Sequence, residues 1–342
     1  MKRIGILTGG GDCPGINPVI RAVVRKAFLE GIEVLGIRFG WEGLIEDDVM
    51  PLDLRSVSGI LPKGGTILGT SRTNPYKKEG DLKLLKENYN KHQLYALIAV
   101  GGEDTLGVAN RLAKEGLKIV GVPKTIDNDL SETDYTFGFD TAINIVTDCL
   151  DRLHTTAESH NRIMVAEVMG RHAGWIAVHA GIAGGADVIL IPEVPIDVDE
   201  VCNVIKKRHE RGKNFSIVVV AEGAKFKEGQ EVLMTEKLDE FGHIRLGGIG
   251  QVLGELIEKK TGYETRVTVL GHIQRGGSPT AFDRVLGTRF GIKAIELVKD
   301  GKFAEMVCLQ GNKIISVPIE KAVGKLKTVD MDLYEIAKVF FG

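Results

Sequence analysis

Apolar runs and amphipathic stretches alternate along the whole chain. Near-continuous apolar segments fall at 3–8, 33–38, 94–100, 118–122, 162–168, 187–191, 215–221 and 265–270. Their lack of a polar face predicts strands buried on both sides, as in a parallel sheet covered by helices. Between them, helical spacing of apolar residues runs over 17–30, 104–115, 139–158, 173–183, 197–211, 247–261 and 279–299. In the third of these, Ile143, Val146, Leu150 and Leu153 form one core-facing stripe. The rhythm predicts an α/β fold of two doubly wound, Rossmann-like domains with mostly parallel sheets, the chain passing into the second near residue 139. The stretch 223–248 is polar, glycine-rich and weakly periodic, and reads as a surface excursion.

Composition narrows the function without naming it. The 342 residues suffice for one large or two medium domains with a proper core. A net charge of −2 offers no bulk attraction to nucleic acid or a membrane surface. The apolar run after Met1-Lys2-Arg3 breaks at Gly5 and Gly9, too early for a signal peptide, and no stretch approaches the ~18 apolar residues of a membrane helix. Cys13, Cys149, Cys202 and Cys308 lie far apart, which suits neither a disulfide framework nor a zinc site and predicts a reducing, cytoplasmic location.

The chemistry gathers at strand ends. Pro123-Lys124-Thr125-Ile126-Asp127-Asn128-Asp129 follows the apolar run 119–122, where a short buried strand is expected to end. Ligands of open parallel sheets bind at such carboxyl ends. Two carboxylates at i and i+2 repel unless a cation or proton lies between them, although Asp and Asn also suit a plain turn. A second loop, Thr8 to Gly15, puts glycines between a strand and a helix, either as a phosphate cradle or as a tight turn. It fails the dinucleotide fingerprint, since Pro14 stands at the third glycine and Arg38-Phe39-Gly40 replaces the ribose acid; this excludes an NAD module. A third, Gly101-Gly102-Glu103-Asp104-Thr105, opens a helix. Capping accounts for one of its carboxylates, and Glu103 can join the paired aspartates in a Mg²⁺ site shared with phosphate oxygens. Cations follow at Arg72, Arg162, Arg171, Arg266, His272 and Arg275. Each alone reads as a surface charge or a core histidine, but arginines near glycine-rich strand ends suit bidentate phosphate binding.

In order and spacing, GGGDCPG with NPVIR, GGEDT, PKTIDND, EVMGR and LGHIQRGGSP resemble the 6-phosphofructokinase family over essentially the whole chain. The resemblance implies a phosphofructokinase-type fold, with 1–138 plus 274–324 as the phosphoryl-donor domain and 139–273 plus 325–342 as the fructose 6-phosphate domain. It implies Asp127 as the base for the C1 hydroxyl, flanked by Thr125, and Glu103 and Asp129 on the Mg²⁺ side. The family usually has aspartate where Glu103 stands. Gly11 and Gly102 would face the donor, and Arg72 and Arg171 the transferring phosphoryl group. Met169, Gly170 and Glu222 would contact the sugar; Arg162, Arg266, His272 and Arg275 would hold the sugar and its phosphate. Arg162 and Arg266 would come from a neighbouring subunit, making a homo-oligomer, dimer or tetramer, with shared active sites.

Asp104 and Lys124 bear on the donor. ATP-using relatives resembling this chain have glycine at the first position, and many have it at the second. A carboxylate ~4 Å from the α-phosphate of ATP repels it by about 4 kcal/mol at an effective dielectric constant of ~20. Pyrophosphate has no α-phosphate to meet, and Lys124 supplies a cation for the leaving phosphate. The pair therefore resembles the pyrophosphate-dependent branch. An ATP-dependent kinase, with Asp104 turned outward as a cap, is the alternative within the family; a non-catalytic sugar-phosphate sensor is the alternative outside it. Arg21, Arg25, Arg211 and Lys213 match an allosteric site of bacterial ATP enzymes only in part, since Leu54 and His154 replace arginines there. Trp41 likewise replaces a donor-side tyrosine, and weak or absent regulation is expected.

Overall fold

The computed structural model describes residues 2–228 and 248–342; most of the excursion expected at 223–248 lies outside the described residues. The first part of the chain runs through β1 (Arg3–Thr8), α1 (Ile16–Leu29), β2 (Glu33–Ile37), α2 (Trp41–Ile45), β3 (Val49–Leu52), α3 (Asp81–Lys91), β4 (Ala96–Gly101), α4 (Glu103–Lys114), β5 (Ile119–Thr125) and β6 (Phe137–Gly138). The second part continues with α5 (Phe139–His160), β7 (Ile163–Val168), α6 (Trp175–Ala183), β8 (Val188–Leu190), α7 (Val198–Glu210), β9 (Ser216–Ala221), α8 (Ile249–Thr261), β10 (Thr265–Val269) and a 3₁₀ helix, Gly271–Arg275. It closes with α9 (Ala281–Lys299), β11 (Glu305–Gln310), β12 (Lys313–Pro318), α10 (Ile319–Ala322) and α11 (Met331–Lys338).

Two sheets organise these elements. The larger runs β12-β11-β5-β4-β1-β2-β3, with β6 beside β5; the smaller runs β10-β7-β9-β8. Pairing is parallel except between β2 and β3 and between β11 and β12. The centres of both sheets are covered on both sides: β4 is buried at every residue, as are β7 and β9. This is an α/β architecture of two doubly wound, Rossmann-like layers with mostly parallel sheets.

The structure departs from the expected elements in three ways. β5 does not end at Val122 but continues through Pro123, Lys124 and Thr125. Pro123 falls between the rungs to β11 at Val120 and Gly121 and those to β6 at Lys124 and Thr125, where the edge changes partner and a residue without N–H is tolerated. β3, β11 and β12 were not expected from periodicity, because these flanking strands are only partly buried or paired antiparallel at the sheet margins. The short helices α2, α3, α10 and α11 also escape the long-period pattern.

Close helix packing brings the loop after β1 near the chain's last long helix. A Cβ on Gly287 of α9 would lie 2.8 Å from the Gly15 carbonyl, and one on Gly291 would lie 2.7 Å from both the Ala22 Cβ and the Val19 carbonyl. Glycine is therefore required for α9 to lie this close to α1. At the other end of α9, the buried Asp283 accepts from Thr141 N at 2.8 Å and Thr141 Oγ1 at 2.5 Å, tying it to the first turn of α5.

Candidate active site

The carboxyl ends of both sheets open onto one cleft. It is lined by Gly10 and Gly11, Ser71 to Thr73, Gly102 to Thr105, Lys124, Thr125, Asp127, Asp129, Arg171, His172, Glu222 and Arg275. The larger sheet supplies the glycine loops and the paired aspartates. The smaller supplies Arg171 and Glu222, which follow β7 and β9.

The loop after β1 is held on several sides. Gly9 N donates to Val100 O at 2.9 Å, Gly10 N to Ser71 O at 3.0 Å, and Thr70 Oγ1 to Gly10 O at 2.5 Å. Gly10 takes φ 78, a region that favours glycine. Lys124 reaches in from β5 and donates its ammonium to Gly11 O. It is only 4% exposed, and burial pushes its pKa below the ordinary lysine value. From the far wall, Arg275 Nη1 donates to Asp12 O at 3.3 Å, and a Cβ at Gly11 would run into its guanidinium.

The acidic side is built on the turn after β5. Asp127 N donates to Thr125 Oγ1 at 3.0 Å, while Asp127 Oδ1 is buried with no hydrogen-bond partner among the described residues. Asn128 stands between the aspartates in left-handed backbone, φ 51. Its Oδ1 accepts from Thr136 N at 3.1 Å and its Nδ2 donates to Asp134 O at 3.3 Å. Burial and then the charge of Asp127 push Asp129 up to about 7, against a hydrogen bond from Thr125. Burial and then Asp127 push Glu222 up to about 7 as well, with Arg171 pulling the other way. The charge of Asp127 thus acts on both of its acidic neighbours. Glu103 and Asp104 begin α4, where the helix dipole favours anions, and Glu103 Oε1 accepts from Gly324 N at 3.3 Å.

Five expected site residues lie outside the cleft lining. Met169 is buried just behind it, its N–H donating to Oε1 of the fully buried Gln274 at 3.1 Å. Gly170, at φ 141, accepts from Gly223 N at 3.1 Å and shapes the turn before Arg171. His272 is exposed on the 3₁₀ helix. Arg162 and Arg266 sit where the smaller sheet meets solvent, both on Glu264, with Arg162 Nη2 at 2.8 Å. In turn, Gly10, Ser71, Thr73, Thr105 and His172 line the cleft without having been singled out. Their signal was adjacency, since each stands within two residues of one that was.

A cleft at the carboxyl ends of two parallel sheets, with carboxylates and cations around a glycine loop, defines an α/β enzyme of phosphoryl transfer. The chain belongs to the phosphofructokinase family, whose profile it matches over residues 3–298. It is 60% identical over 342 residues to the pyrophosphate–fructose 6-phosphate 1-phosphotransferase of Streptomyces coelicolor, covering 99% of this chain and 100% of that one. To the ATP-dependent 6-phosphofructokinase of Corynebacterium efficiens it is 51% identical over 342 residues, covering 99% of each. Among solved structures, Pichia pastoris phosphofructokinase in the T-state superposes with TM-score 0.85 at 31% identity, over 99% of this chain and 36% of that one. The chain is therefore a phosphotransferase, which sets aside the sensor. No helix among the described residues is long and apolar enough to cross a membrane.

Proposed function

We propose that this phosphotransferase moves a phosphoryl group reversibly between pyrophosphate and the C1 hydroxyl of fructose 6-phosphate, giving fructose 1,6-bisphosphate and phosphate in the cytoplasm. The observation that carries the donor assignment is Asp104 in the first turn of α4, in the same cleft as Lys124 beneath the donor loop. A carboxylate there opposes an α-phosphate, and the buried ammonium favours a compact, highly charged donor. Relatives named for both donors stand close by, at 60% and 51% identity, so the names alone do not decide.

In this reading Asp127 is the general base, its Oδ1, without a hydrogen-bond partner among the described residues, accepting the C1 proton. Arg72 and Arg171 stabilise charge on the phosphoryl group in flight, and Gly11 and Gly102 let the backbone approach the donor. Met169, Gly170 and Glu222 bound the sugar, while His272 and Arg275 face its phosphate. Arg162 and Arg266 serve the cleft of a second copy in a dimer or tetramer, consistent with their place at the margin of the smaller sheet. Residues 1–138 with 274–324 form the donor domain, and 139–273 with 325–342 the sugar-phosphate domain.

Magnesium suits the acidic side. Among the described residues no three His, Cys, Asp or Glu side chains are placed to hold a metal by themselves. Mg²⁺ commonly rests on one or two carboxylates plus substrate phosphates, and Glu103 and Asp129 would supply them. When bound, the ion neutralises phosphate oxygens. Asp104→Gly tests the donor assignment: kcat/KM with ATP is expected to rise at least tenfold. Unchanged ATP use in that variant would contradict it.

A further inference from the structure

The segment between α10 and α11 touches the acidic side of the cleft, and one residue in it is bonded in three directions. Lys327 N donates to Asp129 O at 2.9 Å, beside the antiparallel rung of Leu130 with Leu326. Lys327 O accepts from the indole of Trp175 at 2.9 Å, the first residue of α6 and so on the wall that carries Arg171. Its ammonium donates to Thr133 O at 2.8 Å and to Asp134 O at 2.7 Å, with the Trp175 ring centroid 5.2 Å away. Asp134 O also accepts from Asn128 Nδ2 at 3.3 Å, so one carbonyl joins the cation to the residue between the two aspartates. Earlier in the segment, Gly324 N donates to Glu103 Oε1 at 3.3 Å.

Backbone carbonyls and an aromatic face are ligands that a monovalent cation accepts. Lys327 delivers such a charge on a tether, at a half-buried position. Burial lowers its pKa to about 8, while the charges of Asp134 and Asp129 pull the other way, so the ammonium and the metal-side carboxylate act on each other. A cavity of about 440 Å³ lies alongside, lined by Thr133, Asp134, Gln310 and Lys327 itself. Space freed by a shorter side chain at 327 would join this cavity.

We infer that Lys327 is a positioning residue for the acidic side: its ammonium serves as a built-in monovalent cation on the turn that carries Asp127 and Asp129, and its backbone ties that turn to the opposite wall. This rests on the reading of Asp127 as the base and Asp129 as a metal-side group, and not on which donor is used. A lysine that only stiffened the fold could not be replaced by a free cation.

The test is initial-rate kinetics, with fructose 6-phosphate, Mg²⁺ and whichever donor the enzyme turns over, on wild type, Lys327→Ala, Lys327→Met and Asp127→Asn. Lys327→Ala is expected to lower kcat at least about tenfold, to change the KM for fructose 6-phosphate less than about threefold, and to raise the Mg²⁺ needed for half-maximal rate. Ammonium or methylammonium chloride should raise the kcat of Lys327→Ala severalfold, while tetramethylammonium chloride at the same ionic strength should not. Wild type should respond to none of these salts beyond their ionic strength. Lys327→Met keeps the stem and fills the space, so it should share the loss and resist rescue. Wild-type kcat in both Lys327 variants, or one response of Lys327→Ala to all three salts, would overturn the inference. Should Lys327→Ala not fold, the kcat and Mg²⁺ requirement of Lys327→Met decide in its place. Turnover near wild type in Asp127→Asn would instead overturn the reading beneath it.

Discussion

Asp127 and Asp129 point their chemistry into one cleft because the residue between them is turned away. Asn128 is 2% exposed and bonds to Thr136 and Asp134 across the turn, so its left-handed backbone is over-determined by its own amide. Asn128→Ala loses both bonds and leaves the buried Thr136 N–H without its Oδ1 acceptor, while Asp134 O keeps the Lys327 ammonium at 2.7 Å. A destabilisation of about 2–3 kcal/mol is expected in urea unfolding, with kcat reduced more than the KM for either substrate. Asp127→Asn asks a different question. It keeps the shape but cannot take the proton, so turnover should fall by about 10²–10⁴-fold while calorimetry still shows fructose 6-phosphate binding. Turnover near wild type would show that another group is the base.

Among the elements, the junction of α5 and α9 holds an ionisable group with no place in the chemistry. Asp283 is fully buried, and burial raises its pKa from 3.8 to about 6, with the Thr141 bonds pulling the other way. Between those values the folded chain keeps a proton that the unfolded chain has released. Stability contributed by this group is therefore greatest below pH 3.8 and is lost as pH rises to about 6. The melting temperature of wild type should fall relative to Asp283→Asn across that window and run parallel to it above; a constant difference would contradict the assignment. Helices of this length were legible because their apolar stripes repeat over several turns: 279–299 was expected and Ala281–Lys299 is found. The hairpin of β11 and β12 was not, although Gly311-Asn312 between two strand-like runs carries a two-residue turn signal. A reading tuned to buried parallel strands passes over a half-exposed edge.

On the scale of the whole molecule, the glycine loops, the paired aspartates and Asp104 could be read from sequence because strand ends concentrate such chemistry. What could not be read was which side chains meet across the cleft. That Arg275 lies against Gly11 depends on residues 264 positions apart and on Gln274, a buried polar side chain that no apolar pattern marks. The placement of Arg162 and Arg266 outside the cleft of their own chain has a consequence for assembly. If they complete a second copy's site, Arg266→Ala and Asp127→Asn should each be inactive alone. Mixed after dissociation and reassociation, they should regain activity, since one site in a hybrid then carries neither defect. Mixtures as inactive as their components would exclude a shared site.

The central claim is the choice of donor, and initial rates on the purified protein test it most directly. With fructose 6-phosphate and Mg²⁺, pyrophosphate should exceed ATP in kcat/KM by at least about a hundredfold, less than the nearly thousandfold allowed by the charge repulsion at Asp104. A preference for ATP would contradict the account, placing the Asp104 carboxylate away from the donor while leaving the fold and the acceptor side standing.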